Sequence, residues 1–127
     1  MDENNLASNT WTSNEVTVKF TWYPNDNLKK FEPFTQVYGV CFNDMGEILI
    51  QKYKDDDWCL PGGTVERGES AIETMRREFI EEVDVTIKNP VLLGGQRVQF
   101  LVGHNPHPEK GEGDDFYQLR YFCEVDE

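Results

Sequence analysis

Three glutamates, Glu78, Glu81 and Glu82, stand at i, i+3 and i+4 in the segment GESAIETMRREFIEEVDV. On a helix that spacing gathers the side chains on one face. Like charges so placed repel each other by about 0.2–0.5 kcal/mol per pair. A divalent cation would turn the repulsion into coordination. Carboxylate oxygens suit hard ions such as Mg2+ or Mn2+, and the glycine turn PGGT just upstream adds free backbone carbonyls. The sulfur-rich set preferred by structural zinc is missing. A Glu-Glu pair on an amphipathic helix is more often a solvated face, so these three residues gain meaning only from their surroundings.

The surroundings predict a helix from Ser70 to about Val83. Ser70 and Glu73 have the S-x-x-E spacing of a capping box, in which hydroxyl and carboxylate satisfy two free backbone amides at the helix start. Ile72, Met75, Phe79 and Val83 fall on one stripe, which must face a core. The three glutamates fall on a second stripe about a third of a turn away.

Strands surround this helix. EVTVKFTW alternates, with Val16, Val18, Phe20 and Trp22 on one face. TQVYGVCFN, a turn at NDMG and EILIQKYK predict a hairpin over residues 35–54. Asn89-Pro90 is expected to close a loop. VLLGGQRVQFLV reads as a strand with a glycine interruption, and FYQLRYFCEV as a last alternating strand. Residues 1–14 are expected to be frayed and flexible, with residues 15–127 forming one domain. One long helix among strands implies an α/β (α+β) fold, a mixed β-sheet with the helix packed on one face.

The chain of 127 residues suits a single core. Its formal net charge of -12 leaves no basic footprint for nucleic acid polymers or a membrane surface. An anionic ligand would need a cation or a local basic patch. Cys41, Cys59 and Cys123 are odd in number and form no CxxC pair, and the polar, acidic start is unlike a signal peptide. A reduced, cytoplasmic protein is the simplest expectation.

Read in order, Gly63 is followed by Glu69, Arg77-Glu78, the apolar Phe79, Glu81-Glu82 and Val85. This order and spacing resemble the Nudix box, and the preceding WCLPG resembles the family's approach to it. The resemblance covers roughly residues 35–125. It implies an α/β/α sandwich around a mixed sheet, although the chain ends at Glu127, where many members carry a further helix. It implies that Glu78, Glu81 and Glu82 bind the metal with the carbonyl of Gly62. Glu69 would assist, and Arg77 would hold the carboxylates through its planar fork. Asp84 stands where the family has glycine, a position that favours positive φ; aspartate tolerates it at some cost.

The implied activity is Mg2+- or Mn2+-dependent hydrolysis of a phosphoanhydride in a nucleoside diphosphate derivative. The MutT-like members act on nucleoside triphosphates, including oxidised ones, giving monophosphate and pyrophosphate. No NADH-, ADP-ribose- or coenzyme A-type signature accompanies the box. In some relatives the general base lies in the box and in others on a later loop. Glu112 is the loop candidate carried forward from Glu109, Glu112, Asp114 and Asp115. Lys52 and Arg97 are candidates for substrate phosphate, although both could be plain strand charges. His104 and His107 form a weak HxxH. Tyr38, Phe42 and Phe116 could stack on a base or serve the core. A homodimer covering the open sheet face is a further expectation. The alternatives are a non-catalytic nucleotide-binding or regulatory Nudix domain and a plain acidic interaction domain.

Overall fold

A computed structural model describes residues 5–52, 57–106 and 113–127. Eight strands, β1 (Ser8–Ser13), β2 (Val16–Pro24), β3 (Phe34–Phe42), β4 (Gln51–Lys52), β5 (Trp58–Cys59), β6 (Gly62–Thr64), β7 (Ile87–Val102) and β8 (Asp115–Val125), accompany helix α1 (Ala71–Val83). A short 3-10 helix spans Leu28–Phe31. Six strands form one sheet in the order β1-β2-β7-β8-β3-β6, and β4 and β5 pair separately. β3 and β8 run parallel while the other neighbours are antiparallel, so the sheet is mixed.

The helix forms where its capping residues place it. Ser70 accepts from the Glu73 amide at 3.1 Å, and Glu73 accepts from the Ser70 amide at 3.4 Å. Its apolar stripe meets the sheet. Met75 and Phe79 are fully buried, and Ile72 and Val83 pack at the margin. Gly39 on β3 permits this contact, because a Cβ there would lie 2.5 Å from the Phe79 ring. Burying a side chain of this size contributes roughly 1.5–3 kcal/mol. Leu119, Tyr121 and Cys123 of β8 complete the same core.

The helix ends at Asp84, whose φ of 53° and ψ of 44° are left-handed. Its amide still reaches the Ile80 carbonyl at 3.2 Å. Aspartate here caps the helix.

Several expectations are corrected. Ser8–Ser13, expected to be flexible, form an exposed edge strand paired with β2. The hairpin over 35–54 stops after one bridge, Phe42 to Ile48, because β6 takes the place beside β3. Asn89-Pro90 sits inside β7 at a register shift, with Asn89 at φ 53° relieving the strand geometry. The α+β expectation of a mixed sheet with one helix on a face holds, and α1 is the sole α-helix among the described residues, in keeping with the expected lack of a C-terminal helix. The sheet face opposite α1 instead displays half-buried Val18, Phe20 and Phe100 beside buried Val98 and Phe116. No helix is long and apolar enough to cross a membrane among the described residues.

Two substitutions test the helix ends. Ser70→Ala should lower stability by about 1 kcal/mol through loss of the cap. Asp84→Gly should raise it by about 0.5 kcal/mol by relieving left-handed strain. Urea unfolding curves check both; equal midpoints for all three proteins would contradict this account of the caps.

Candidate active site

Leu60-Pro61-Gly62-Gly63-Thr64 brings the site to the sheet edge. β6 pairs with β3 so that Gly63 lies opposite Val37 and Gly62 opposite Tyr38. The Gly39 amide donates to the Pro61 carbonyl at 3.0 Å and fixes the entry to the strand. Gly62 has φ 150°, and a Cβ there would lie 2.2 Å from the Val37 carbonyl oxygen. A Cβ on Gly63 would lie 2.5 Å from Glu78 Oε1. Both positions therefore require glycine, the first for the backbone and the second for the carboxylate of α1.

A cleft of about 610 Å3 opens beside this contact. Glu78 and Glu82 line one wall, with Gly62 and Gly63 next to them. Gln36 and Tyr38 come from β3, and Gln51 and Cys59 from the small β4-β5 pair. Gln51 donates from Nε2 to Glu82 Oε2. Burial, followed by the neighbouring Glu82 carboxylate, pushes Glu78 up to about 7, against the opposing pull of Arg77. A partly buried carboxylate thus stands beside an exposed one, an arrangement that favours a proton or a cation at Glu78.

Arg77 organises the remaining acids. Its Nε donates to Glu69 Oε2 at 2.6 Å and its Nη2 to Glu69 Oε1 at 3.0 Å, a two-pronged pairing. Nη1 reaches Glu78 and Glu81, each at 3.1 Å, and Nη2 also reaches the Thr64 carbonyl at 3.1 Å. The guanidinium therefore ties α1 to β6 and to the loop before the helix. Glu69 accepts in addition from the Glu66 amide at 2.9 Å and from Thr74 Oγ1 at 3.0 Å. Hydrogen bonding from Arg77, then from the Glu66 backbone, lowers Glu69 to about 2.

The structure thus brings Glu78, Glu82 and Gly62 together at the cleft, with Glu69 and Arg77 behind them. Glu81 does not line the cleft; its side chain is 58% exposed and turned to Arg77. No group of three or more acids, histidines or cysteines is arranged to hold a metal among the described residues. Lys52 is exposed and does not line this cleft, although the adjacent Gln51 does. Arg97 pairs with Asp115 at 2.8 and 2.7 Å and does not line this cleft. Asp114 accepts from the Asn105 amide at 2.8 Å and lies 2.7 Å from His104 Nδ1, contacts that shape a turn. Glu112, Glu109 and His107 lie outside the described residues. Phe42 meets Phe122 with ring centroids 6.0 Å apart, whereas Phe116 lines a second cavity.

Sequence reasoning missed Gln36, Gln51 and Glu66. Gln36 and Tyr38 alternate with buried Val37 and so point away from the core, but no motif marks a carboxamide. Tyr38 is held on two sides. Its hydroxyl donates to Gln36 Oε1 at 3.0 Å, and the Arg120 guanidinium sits 4.6 Å from its ring centroid. Burial raises the Tyr38 phenol, so it stays a donor.

The Glu69 pair carries a pH signature. Because Glu69 is held at about 2 against an ordinary 4.5, its contribution to stability is present above 4.5 and is lost as pH falls toward 2. Wild type and Glu69→Gln should therefore differ in urea midpoint at pH 7, with the gap narrowing below pH 4.5 and closing only near pH 2. A gap that stays constant with pH would contradict the pairing.

Comparison with known proteins agrees with the architecture. A model of the NUDIX domain matches residues 32–127. The Nudix hydrolase YvcI of Bacillus subtilis (strain 168), itself uncharacterized, is 43% identical over 47 residues, 37% of this chain and 30% of that protein. The chain spans only 16% and 30% of the length of two curated relatives that it matches. A crystal structure of a mutant of the Bacillus subtilis pyrophosphohydrolase BsRppH superposes with a TM-score of 0.63 at 23% identity, covering 88% of this chain and 61% of the other. That likeness concerns the fold. With the domain match spanning most of the sequence, and the box glutamates and Arg77 gathered around the glycine strand, the chain belongs to the Nudix family.

Proposed function

We propose that this chain is a divalent-metal-dependent Nudix hydrolase acting on a phosphoanhydride of a nucleoside diphosphate derivative, with a nucleoside triphosphate, oxidised or not, as the finer assignment. The observation that carries the reading is the partly buried Glu78 carboxylate, set against Gly63 with the exposed Glu82 beside it in an open cleft. The donors there are carboxylate oxygens with the Gly62 backbone beside them, a hard set that fits Mg2+ or Mn2+. Glu78 and Glu82 would hold the ion, with Gly62 adding its carbonyl and Glu81, one turn along the helix, as the third carboxylate of the proposed set. Such an ion would offset phosphate charge and acidify a water.

The chain's own residues supply the positioning. Arg77 clamps Glu69 and steadies Glu78 and Glu81, while Gln51 steadies Glu82. Tyr38 and Leu60 form walls that restrict water around the bound phosphates. Glu81, exposed and turned to Arg77 and not into the cleft, favours a second reading, a Nudix domain that binds nucleotides without turnover.

Release of phosphate from a nucleotide panel, with Mg2+ and with Mn2+, separates the two. A hydrolase should show metal-dependent turnover, and Glu82→Gln should lower it by roughly 100-fold with the melting temperature nearly unchanged. Gly63→Ala should do the same, because the added methyl displaces the Glu78 carboxylate. Turnover that survives both substitutions would reject the assigned site. Nucleotide binding with no turnover would establish the second reading.

A further inference from the structure

The sheet ends in two very different edges. β6 is three residues long, and Arg77 already takes its Thr64 carbonyl. β1 is six residues long, exposed throughout, and has no strand on its outer side among the described residues. Exposed edges are ordinarily blunted by lysine, proline or a bulge. β1 has none of these. Its sequence is SNTWTS, and its register with β2 is unbroken from Ser8 to Ser13. The two-residue turn at Asn14 and Glu15, both at positive φ, pins it to β2.

The hydrogen-bond phase of this edge is fixed. The Trp22 amide donates to the Ala7 carbonyl at 2.9 Å, so Ala7 bonds inward. Alternation along an antiparallel ladder then turns Asn9, Trp11 and Ser13 toward β2, and Ser8, Thr10 and Thr12 toward solvent. The outward set is symmetric about Thr10. A second β1 laid antiparallel, with Thr10 opposite Thr10 and Ser8 opposite Thr12, satisfies every outward amide and carbonyl of these three residues.

Charge selects the occupant. The chain has a formal net charge of -12, and 28% of its residues are charged, so two copies repel over most of their surfaces. Residues 5–14 contain no charge at all. β1 is therefore a strip where like-charged copies meet without burying an ion. Trp11 stands on that strip opposite Val18, on the sheet face away from α1, and is 64% exposed. In the symmetric register its indole lies across from the partner's Asn9 and loses water.

We propose that the chain forms a two-fold dimer through β1, joining the two sheets edge to edge. The contact is self-complementary and β6 offers no second edge of this kind, so assembly closes at two copies. The proposal is independent of the hydrolase reading.

Sedimentation of the full chain between about 1 and 300 µM tests it, with amide exchange measured by NMR at both ends of the range. The mass should rise from one chain toward two. The amides of Ser8, Thr10 and Thr12 should gain protection with concentration, while those of Asn9, Trp11 and Ser13 are protected throughout. Thr10→Pro removes the central outward N–H but no bond to β2, and should leave the mass of one chain at every concentration. Trp11→Glu should weaken association roughly 10-fold with the β1 backbone intact. A single-chain mass for wild type across the range would overturn the proposal. So would a dimer that persists unweakened in both variants, or protection that appears on the open face around Val98 and Phe116 and not on β1.

Discussion

The buried contact between the Glu78 carboxylate and Gly63 governs the rest of the molecule. An acid pressed against a strand, beside a second acid one turn further along the helix, is electrostatically unfavourable without compensation. Arg77 supplies part of it, spreading one guanidinium over Glu69, Glu78 and Glu81 while also binding the Thr64 carbonyl. What remains uncompensated is visible in Glu78, pushed up to about 7 by burial and by Glu82. On the proposed reading, a bound cation supplies the remaining compensation.

The fold serves to hold that contact. The apolar stripe of α1 fixes its rotation by burying Met75 and Phe79, and Gly39 lets the Phe79 ring approach β3. With the rotation fixed, Glu78 must meet β6. The capping box and the left-handed Asp84 set where the helix begins and ends. The parallel pairing of β3 with β8 and the short β6 leave the carboxylates at an open sheet edge, not inside the core. The opposite face of the sheet carries aromatic side chains and carboxamides, and Gln36 and Tyr38 border both that face's cavity and the cleft.

The helix, its caps, its buried stripe and the glycine turn were legible in the amino-acid order, because each follows from local chemistry repeated at a fixed period. The box positions were legible for the same reason. Pairing between distant segments was not. Nothing in EILIQKYK shows that β6 displaces it from β3, and the pull of Asn89-Pro90 toward a loop is overridden by the long pairing of β7 with β8. Lys52 and Arg97 were chosen by charge alone, and Arg97 finds Asp115 across the β7-β8 pair. Gln36 and Gln118 were invisible because a carboxamide on a strand has no signature; only the parallel register of β3 and β8 makes them partners.

Where a divalent ion binds is the most direct question to put to this account. Mn2+ titrated into isotopically labelled protein broadens the resonances of nearby nuclei and so reports its own position. The signals of Gly62, Gly63, Glu78 and Glu82 should be lost first, at substoichiometric metal, with those of Arg97 and Asp115 retained. Broadening centred instead on the turn at His104 and Asp114, or spread evenly over the acidic surface, would contradict the claim that the helix and the glycine strand together build the metal site.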